Sequence, residues 1–421
     1  MRRKQILLLV PTTTYRLDDF LRAAVRLNID VILASNRCHV LAEQWPDHLG
    51  LSLPFSSPYE AVEKALAALR DKRIDAVIAA DDYTTILAAM LAEKLGLPGN
   101  SLEAAEKTRN KLSLRRAFAA GGMPSPKFHI AKIAEPPESQ LPQIEFPVVL
   151  KPLLLSGSRG VIRANNPEEF FAAFHRIAAL LQNREFFQMR SAVAKRILIE
   201  SYIPGIEVAI EGLLTRGKLS VLAIFDKPDP LEGPFFEETI YVTPSRHPKE
   251  TQRAIHVAVA QACQIIGLQH GPIHVEARLN EQGVFVIEVA ARTIGGLCSR
   301  TLRFGTGMSL EELVLRHATG EEINGEAILA GASGVMMLPI SCSGRLHAVS
   351  GVEEALAVPN IQEVKITIPI DNLVIALPEG ASYLGFMFAR AETPQEVEAS
   401  LRAAHAKLHF DIQPALAVRE E

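Results

Sequence analysis

The chain has 421 residues, a length that accommodates two to four packed units. Hydrophobic residues make up 48% and charged residues 22% of the chain, which excludes a disordered protein. The net charge of −4 provides no basic footprint for nucleic acid, and no apolar run is long enough to cross a membrane, so we expect neither as a partner.

The cysteines and the N-terminus indicate a cytoplasmic protein. Cys38, Cys263, Cys298 and Cys342 lie far apart and form no Cys-x-x-Cys pair, which argues against a disulfide framework or a thiolate zinc site and fits a reducing compartment. The apolar run at residues 6–10 follows basic residues as in a signal peptide, but it is too short for one and predicts a buried first strand.

The first hundred residues alternate two kinds of segment. Apolar, β-branched-rich runs at 6–10, 31–34 and 75–79 predict strands, and apolar residues at helical spacing at 17–27 and 58–69 predict helices. This alternation predicts a parallel sheet in a small doubly wound α/β unit. The first βα turn lacks G-x-G-x-x-G, which weakens a dinucleotide interpretation, and the absence of G-x-x-x-x-G-K-[ST] removes the P-loop enzymes.

The pattern changes after residue 100. Asn100, with Glu103, predicts a capped helix that runs to about Ala120. The remaining predicted elements are strands from 146 to about 242 around one helix at 167–182, a helix at 252–268, a hairpin at 272–291, strands at 334–338 and 363–368, and a helix at 394–408. Mixed elements of this kind are typical of α+β units.

The predicted hairpin carries two glutamates. If its loop spans residues 281–283, Asn280 pairs with Val284 and Glu276 lies directly opposite Glu288. Opposed carboxylates repel, and a hard cation that accepts their oxygens would compensate. A one-residue change in register would instead send the glutamates to opposite faces, so the hairpin alone leaves the metal interpretation open.

Basic side chains occur before and after this hairpin. Arg292, four residues after the second glutamate, could stabilise a transferring phosphoryl group or form a salt bridge to either glutamate. Lys151 ends a strand before the small-residue loop 156–160, and the two together could hold phosphates. Lys111 and Arg115 share a helix face. Taken singly, Lys151 is better explained as a solvated strand end, and Lys111 with Arg115 as a basic surface stripe.

A connection between two units follows the strand predicted at 196–200. It is broken at Pro204 and Gly205 and is followed by Glu207. Backbone atoms of such a connection could hold an adenine ring while the acid reaches the ribose hydroxyls.

The order of these motifs resembles the ATP-grasp superfamily over about residues 1–320. The matching pattern is Lys111-x3-Arg115, Lys151-Pro before a glycine-containing loop, Glu200-x3-Pro-Gly-x-Glu207, Glu276, and Glu288-x3-Arg292-x2-Gly295-Gly296. Within the superfamily the chain looks most like the carboxylate–amine ligases that resemble bacterial L-amino acid ligases. The features that favour this branch are Ala223-Ile-Phe-Asp-Lys227, the acidic run Glu237-Glu238-Thr239 leading to Thr243-Pro-Ser, and a C-terminal unit like theirs.

The resemblance implies an ATP-grasp fold of mixed α/β and α+β class. An N-terminal doubly wound (pre-ATP-grasp) α/β domain would span 1–103, the ATP-grasp domain 104–321, and a C-terminal α+β domain 322–421 that packs on the core. A lid of about residues 127–198 would close over the nucleotide and exclude water.

The resemblance also implies a role for each matching residue. ATP would be bound by Lys111 and Lys151 at the phosphates, by Ser156, Gly157, Ser158, Gly160 and Val161 in the closing loop, by Glu200, Ser201, Tyr202 and Ile203 in the adenine hinge, and by Glu207 at the ribose. Glu276 and Glu288 would hold one or two Mg²⁺ ions, or Mn²⁺. Arg292 would stabilise an acyl phosphate, and Lys227 would reach the nucleotide or the substrate.

One position departs from the family pattern. Ala290 stands where many members carry an asparagine that supplies a further metal ligand. An alanine side chain cannot ligate, so the number of metal ions stays open.

The implied activity is an ATP-dependent ligation. A substrate carboxylate would attack the γ-phosphate of ATP, and an amine would then displace phosphate to form an amide or dipeptide bond, with release of ADP and phosphate. One alternative is a biotin-carboxylase-like or nucleotide-biosynthesis ligase that activates bicarbonate or a small carboxylate. Another is a non-catalytic ATP-binding regulatory protein.

The predicted partners are a small-molecule carboxylate and an amine, both expected to be amino acids, and a second copy in a homodimer. Asp81, Asp82 and Tyr83 follow a parallel strand at the edge where such folds bind ligands, and His274 and Arg300 flank the hairpin. Either aspartate could bind an amino group or cap a helix. His274 shares a strand face with Glu276 by strand parity, so it either takes part in the site or packs as an ordinary hydrogen-bonded histidine.

Overall fold

The computed structural model describes residues 2–12, 14–36, 50–183, 192–304, 307–321, 323 and 331–414. Cys38 and residues 184–191 of the predicted lid lie outside the described residues. Among the described residues, no helix combines the length and hydropathy that crossing a membrane requires.

The N-terminal unit is a parallel sheet with helices on both faces. Its elements are β1 (Lys4–Leu9), α1 (Leu17–Arg26), β2 (Ile29–Ser35), β3 (Gly50–Ser52), α2 (Pro58–Ala68), β4 (Ala76–Ala79), a 3₁₀ turn (Asp82–Thr84) and α3 (Thr85–Lys94), with strand order β3-β2-β1-β4. Leu8 packs on the side of Phe20 of α1, and its neighbour Leu9 packs on the side of Leu87 of α3. Alternate residues of β1 therefore face opposite helical layers, and the predicted doubly wound unit is confirmed.

The helix predicted from Asn100 to about Ala120 is divided in two. The observed helices are α4 (Leu102–Arg109) and α5 (Lys111–Ala120). Asn110 between them is extended, and its side chain caps α5 by accepting from Leu112 N and Ser113 N. Ser101 caps α4, whereas Asn100 accepts from Gln269 N and His270 N. The single helix and its Asn100 cap were wrong because a second cap starts a new helix at Lys111.

A small antiparallel sheet follows, with order β5-β8-β6-β7. Its elements are β5 (Phe128–Lys132), a 3₁₀ segment (Pro137–Gln143), β6 (Val148–Pro152), β7 (Ile162–Ala164), α6 (Pro167–Gln182), a 3₁₀ turn (Ala192–Lys195) and β8 (Arg196–Ser201). Asn166 caps α6, and Phe170, Phe174 and Ile177 bury one face of that helix against the sheet. The sheet carries Lys151 on β6 and Glu200 on β8, so it positions both.

The remaining strands build one large antiparallel sheet, a smaller one of three strands, and a pair of two short antiparallel strands. The elements are β9 (Ile206–Thr215), β10 (Lys218–Asp226), β11 (Ile240–Thr243), α7 (Lys249–Ile266), β12 (His270–Asn280), β13 (Gly283–Ala290), a 3₁₀ turn (Cys298–Thr301), β14 (Arg303–Phe304), β15 (Met308–Ser309), α8 (Leu310–Ala318), β16 (Ala332–Leu338), β17 (Gly344–Ser350), α9 (Val352–Leu356), β18 (Ile361–Ile366), β19 (Leu373–Val374), β20 (Gly385–Ala391), α10 (Pro394–His405) and β21 (His409–Gln413). The eight-stranded order is β13-β12-β9-β10-β11-β16-β20-β18, and β19-β17-β21 form the smaller sheet.

The C-terminal strands continue the central sheet. β11 pairs with β16 from Ile240 opposite Met336 to Thr243 opposite Ser333. One buried cluster also combines Leu8, Phe225 and Phe386, which come from the three predicted domains. The C-terminal unit therefore shares both hydrogen bonds and core with the rest of the chain, while the predicted domain limits stay a prediction.

Candidate active site

A cavity of about 310 Å³ lies where the N-terminal unit, the small sheet and the central sheet meet. Most of the residues predicted from the sequence line it: Asp81, Asp82, Lys111, Lys151, Ser156, Gly157, Ser158, Val161, Glu200, Ser201, Tyr202, Ile203, Glu207, His274, Glu276, Glu288 and Arg292. Residues scattered over more than half of the chain thus share one cavity.

The two glutamates of the hairpin face each other, as predicted, but by a different route. Asn280 pairs with Gly283, so the loop has two residues, and the predicted pairing of Asn280 with Val284 is wrong. Further along, Ala277 pairs with Val286 while Glu276 pairs with Glu288, which leaves one extra residue on β13. This β-bulge compensates for the shorter loop and restores the opposed carboxylates.

Arg115 stabilises the bulge from behind. Its NH1 and NH2 donate to the carbonyls of Val286 and Ile287 at 3.2 and 2.8 Å, and its Nε donates to Glu200 Oε1 at 2.5 Å. The side chain is only 2% exposed, so a surface stripe is wrong for Arg115. One guanidinium therefore ties α5, β8 and the bulged strand together.

Glu200 is the anchor of a buried charge cluster. Besides Arg115, it accepts from Lys151 Nζ at 2.7 Å. Burial disfavours the charged carboxyl, but Arg115 and Lys151 outweigh it and hold the pKa of Glu200 at about 2. Burial lowers the pKa of Lys151 below its ordinary value. The side chain of Glu200 is thus committed to two basic groups, which leaves its backbone and the next three residues as the part that a ligand could use.

Lys227 lies beneath the cavity and does not line it. Its Nζ contacts carboxylate oxygens of Glu207 at 2.8 Å, of Glu276 at 3.4 Å, and of Glu238. Burial penalises the ammonium, but the three carboxylates raise the pKa of Lys227 well above its ordinary value. The side chain is fully engaged by these acids, so the structure does not bring it to a nucleotide or substrate as predicted.

The acidic groups divide into two sets. Oxygens of Glu207, Glu238 and Glu276 lie within 4.8 Å of one another, and the Lys227 ammonium contacts all three and offsets part of their negative charge. Although burial opposes ionisation, Lys227 holds the pKa of Glu276 well below its usual range. Glu288, on the neighbouring strand, has Lys111 Nζ at 3.9 Å. Glu276 belongs to both sets, because it is one of these three carboxylates and is also paired with Glu288.

Ala290 is buried on β13 opposite His274. No side-chain oxygen is available at this position, so Glu276 and Glu288 are the paired carboxylates that this part of the hairpin could offer to a metal ion.

Arg292 is held by Asp82. Its NH2 donates to Asp82 Oδ2 at 2.7 Å, and its NH1 donates to the carbonyl of Thr293 at 2.9 Å. Burial opposes the charged form of both groups, but the attraction between the carboxylate and the guanidinium outweighs it. The pKa of Asp82 therefore falls to about 2, and the pKa of Arg292 rises above its ordinary value. Asp81 caps the following 3₁₀ turn by accepting from Tyr83 N, and burial raises the pKa of Asp81. The helix-cap alternative is therefore confirmed for Asp81.

His274 joins the site through a charged hydrogen bond. Its Nδ1 lies 2.5 Å from Glu211 Oε1 and its Nε2 lies 3.6 Å from Glu276 Oε1. Burial favours the neutral ring, but the hydrogen bond to Glu211 outweighs burial and raises the pKa of His274 to about 9. Because Glu211 also accepts from Ile294 N, the acid orients both the imidazole and the segment after Arg292.

Three other predicted residues are not part of the cavity lining. Tyr83 is 47% exposed and carries the Arg109 guanidinium over its ring. Arg300 is bonded at 2.9 Å to both Asp19 and Glu363, which hold it between units. Gly160 donates from its backbone to the Pro378 carbonyl at 2.8 Å. Existing partners keep these groups away from the cavity, so the structure gives no support to Tyr83 or Arg300 as substrate residues.

Several lining residues were not predicted from the sequence as site residues. They are Tyr15, Arg16, Arg278, Cys298, Met337, Tyr383 and Phe386, together with Glu238. Glu238 accepts from Tyr241 Oη at 2.6 Å, and burial raises its pKa to about 7. Its place in the acidic run at 237–239 is a sequence feature from which a role in the site could have been predicted. The other residues come from distant segments and form no local motif.

Three family models match the chain and agree with this geometry. They are described as an ATP-grasp domain, over residues 144–301, an ATP-grasp N-terminal domain, over 21–99, and an L-amino acid ligase C-terminal domain 2, over 336–413. The chain belongs to the ATP-grasp superfamily. The ATP-grasp fold with its additional N-terminal and C-terminal domains is confirmed.

Individual ATP-grasp relatives are 25% to 28% identical to the chain over the aligned residues. The chain is 28% identical over 268 residues to alanine–anticapsin ligase of Bacillus subtilis, covering 61% of this chain and 56% of the relative. It is 25% identical over 240 residues to dapdiamide A synthase of Enterobacter agglomerans, covering 56% and 54%. The chain thus spans about half the length of these two relatives. The crystal structure of an L-amino acid ligase from Bacillus licheniformis superposes with a TM-score of 0.78 at 27% identity, over 98% of this chain and 100% of that one.

Proposed function

We propose that this ATP-grasp protein is an ATP-dependent carboxylate–amine ligase that forms an amide or dipeptide bond and releases ADP and phosphate. The observation that carries the proposal is the single cavity that gathers Lys111, Lys151, the Glu276–Glu288 pair and Arg292. The names of the two relatives, a ligase of alanine with anticapsin and a synthase of dapdiamide A, support the same reaction class.

The proposed reaction has two steps. A carboxylate oxygen bonds to the γ-phosphorus of ATP while the bond to the ADP oxygen breaks, which gives an acyl phosphate. The amine nitrogen then bonds to the acyl carbon, the carbon–oxygen bond to phosphate breaks, and the amine loses a proton. Positioning and charge stabilisation supply most of the catalysis in such transfers. Lys111 and Lys151 would hold phosphate oxygens, and Arg292 would stabilise the charge that develops on the transferring group.

The hairpin offers a set of oxygen donors that fits Mg²⁺, with Mn²⁺ as the alternative. Glu276 and Glu288 are opposed on one face, and their oxygens are the hard ligands that these ions prefer. Bound there, the metal would neutralise phosphate charge and orient the phosphates. With alanine at 290, we propose that these two carboxylates are its protein ligands, for one ion or two.

The hinge and the loop complete the nucleotide site in this proposal. Ser201, Tyr202 and Ile203 would contact adenine through their backbone, and Glu207 would reach the ribose. The loop at 156–161 would cover the phosphates as part of a lid at about 127–198. We also propose domain limits at 1–103, 104–321 and 322–421, a cytoplasmic location, and assembly as a homodimer.

Release of ADP in the presence of paired substrates tests the function. The purified protein is mixed with ATP, Mg²⁺ and pairs drawn from the twenty amino acids, and ADP is followed by a coupled assay while mass spectrometry identifies amide products. We expect at least one pair to give ADP and amide in equal amounts. Release that bicarbonate alone stimulates, or the absence of any stimulation, contradicts the proposal.

An Arg292→Ala variant is the matched test of catalysis. We expect turnover to fall about a hundredfold or more, while ATP affinity measured by calorimetry changes little, because the guanidinium acts on charge that appears during the transfer. Arg316→Ala, which removes an exposed ion pair to Glu321, is the control and should retain full turnover.

A further inference from the structure

Five cationic Lys and Arg side chains of the described residues line the cavity, and four of them are well bonded. Lys111 Nζ donates to the Leu155 carbonyl at 2.6 Å. Arg278 NH1 donates to the Ile203 carbonyl at 2.8 Å. The earlier contacts of Lys151 with Glu200 and of Arg292 with Asp82 are both 2.7 Å. Each of these four already has a contact of normal hydrogen-bond length.

Arg16 is different. It is 3% exposed, and its shortest described side-chain contacts are NH1 to the Ala80 carbonyl and NH2 to Glu311 Oε1, both at 3.4 Å. Its Nε is buried without a hydrogen-bond partner among the described residues. A guanidinium has five N–H donors, and contacts of this length satisfy them poorly. The cavity therefore contains a buried cation whose hydrogen bonding is incomplete.

The place of Arg16 separates it from the proposed nucleotide site. It immediately precedes α1 and reaches the carbonyl of Ala80, at the carboxyl end of β4 in the N-terminal sheet. Ligands of open α/β sheets bind at this edge. Lys111 instead contacts the carbonyl of Leu155, just before the loop at 156–161. Lys151 contacts Glu200, and Arg278 contacts the hinge at Ile203. Arg16 is thus available for a group other than ATP.

The wall beside Arg16 is apolar and uncharged. Tyr15, Tyr383 and Phe386 pack edge to face, with ring centroids of Tyr15 and Tyr383 at 6.2 and 6.1 Å from that of Phe386. Cys298 and Met337 line the same cavity. Burial raises the pKa values of Tyr383 and Cys298, so both side chains stay neutral. A charged side chain packed against the three rings would lose water without gaining an ionic partner from the rings themselves.

We propose that Arg16 binds the free carboxylate of the amine-bearing substrate, which is an α-amino acid with an apolar side chain. This inference rests on the proposed function. In the second step only the amino group of that substrate reacts, so its carboxylate is neither activated nor consumed and needs a cation of its own. Bidentate guanidinium–carboxylate pairing would supply that cation, and the aromatic wall would contact the side chain.

The test compares an amino acid with its amide as acceptor. Phenylalanine and phenylalaninamide differ in the carboxylate, and lysine and glutamate serve as acceptors with charged side chains. With the carboxylate-bearing partner found in the ADP assay held fixed, we expect the wild-type protein to use phenylalanine at a kcat/KM at least about tenfold above that of phenylalaninamide, lysine or glutamate. An Arg16→Met variant should lose about tenfold or more in kcat/KM for phenylalanine through a higher KM, and change little for phenylalaninamide.

The amide is also the folding control, because misfolding would reduce the rates with both acceptors. If the variant loses both equally, Arg16→Lys and the thermal midpoint show whether the loss is structural; equal losses in a stably folded variant overturn the proposal. Arg26→Met, which removes the 3.6 Å contact of the exposed Arg26 side chain with Glu312, the neighbour of Glu311, should leave both rates unchanged. A wild-type preference for phenylalaninamide or for the charged side chains also overturns the inference while leaving the ligase function intact. Absence of ADP release with every pair contradicts the proposed function instead.

Discussion

Arg115 and Glu200 form a buried ion pair across 85 positions of the chain, with 2.5 Å between Nε and Oε1. The same guanidinium holds the two carbonyls of the β-bulge that places Glu288 opposite Glu276. One side chain therefore sets the geometry of both the proposed adenine hinge and the proposed metal ligands.

Replacement of Arg115 tests this linkage. In Arg115→Met, Glu200 and two carbonyls lose a buried donor, so we expect the free energy of unfolding in urea to fall by about 3 kcal/mol or more. Arg115→Lys keeps the positive charge but not the planar guanidinium with its several N–H donors, so it should recover only part of the loss. Arg116→Met, the exposed neighbour, is the control. Equal stability of the Arg115 and Arg116 variants would contradict the linkage.

The hairpin shows how far sequence reasoning reached. Alternation of apolar and polar residues predicted both strands, and the assumed three-residue loop placed Glu276 opposite Glu288. The loop length was wrong, because the compensating bulge depends on Arg115, which lies about 170 positions earlier. A contact of that separation leaves no trace in the local pattern.

The same distinction applies to the cavity. Residues that carry a motif, such as Lys151 before the glycine-containing loop, were predicted from the order of the motifs along the chain. Arg16, Met337 and Phe386 were not, because they come from three segments that only the tertiary fold brings together. Sequence order identified the nucleotide half of the cavity better than the half beside the aromatic wall.

Asp82 is predicted to position Arg292. Asp82→Asn removes the charge that anchors the guanidinium at 2.7 Å, so we expect kcat to fall about 10- to 100-fold, as for other supporting groups, with ATP affinity nearly unchanged. Steady-state kinetics and calorimetry measure the two effects. Asp75→Asn, which removes an ion pair to Arg2 in the same unit, is the control. A large loss of ATP affinity would show that Asp82 acts on the nucleotide site as a whole.

The C-terminal unit contacts the loop at 156–161 and is predicted to hold this loop closed over the phosphates. The Pro378 carbonyl accepts from Gly160 N at 2.8 Å, and the Glu379 carbonyl accepts from Arg159 Nε at 2.6 Å. The Glu379 carboxylate also pairs with Arg176 of α6 at 2.5 and 2.8 Å.

A charge exchange tests this contact. Glu379→Arg and Arg176→Glu each place like charges together, so we expect the KM for ATP to rise about threefold or more and ADP release to exceed amide formation, because water reaches the acyl phosphate. The double variant should regain most of the coupling between ADP and amide. The matched control exchanges the charges of the exposed ion pair between Arg316 and Glu321. Additive losses in the double variant would argue against a direct interaction of Glu379 with Arg176 that holds the loop closed.

His317 is predicted to make stability depend on acid. Its ring is buried, stacks on His270 with centroids 4.4 Å apart, and has Nε2 2.8 Å from Thr215 Oγ1. Burial, assisted by the charge of His270, lowers the pKa of His317 from 6.5 to about 4. Between these values the unfolded chain binds more protons than the folded one, so this histidine reduces stability as pH falls from 6.5 towards 4.

Substitution by a ring that does not titrate should remove this slope. We expect the thermal midpoint of the wild-type protein to drop between pH 6.5 and 4.5 by at least about 2 °C more than that of His317→Phe, because the variant keeps the stacking on His270 but binds no proton. Other groups contribute equally to both proteins, so only the difference between the two curves reports on His317. The exposed His256→Gln should follow the wild-type curve. Parallel curves for wild type and His317→Phe would mean that the buried ring is protonated as readily in the folded protein as in the unfolded chain.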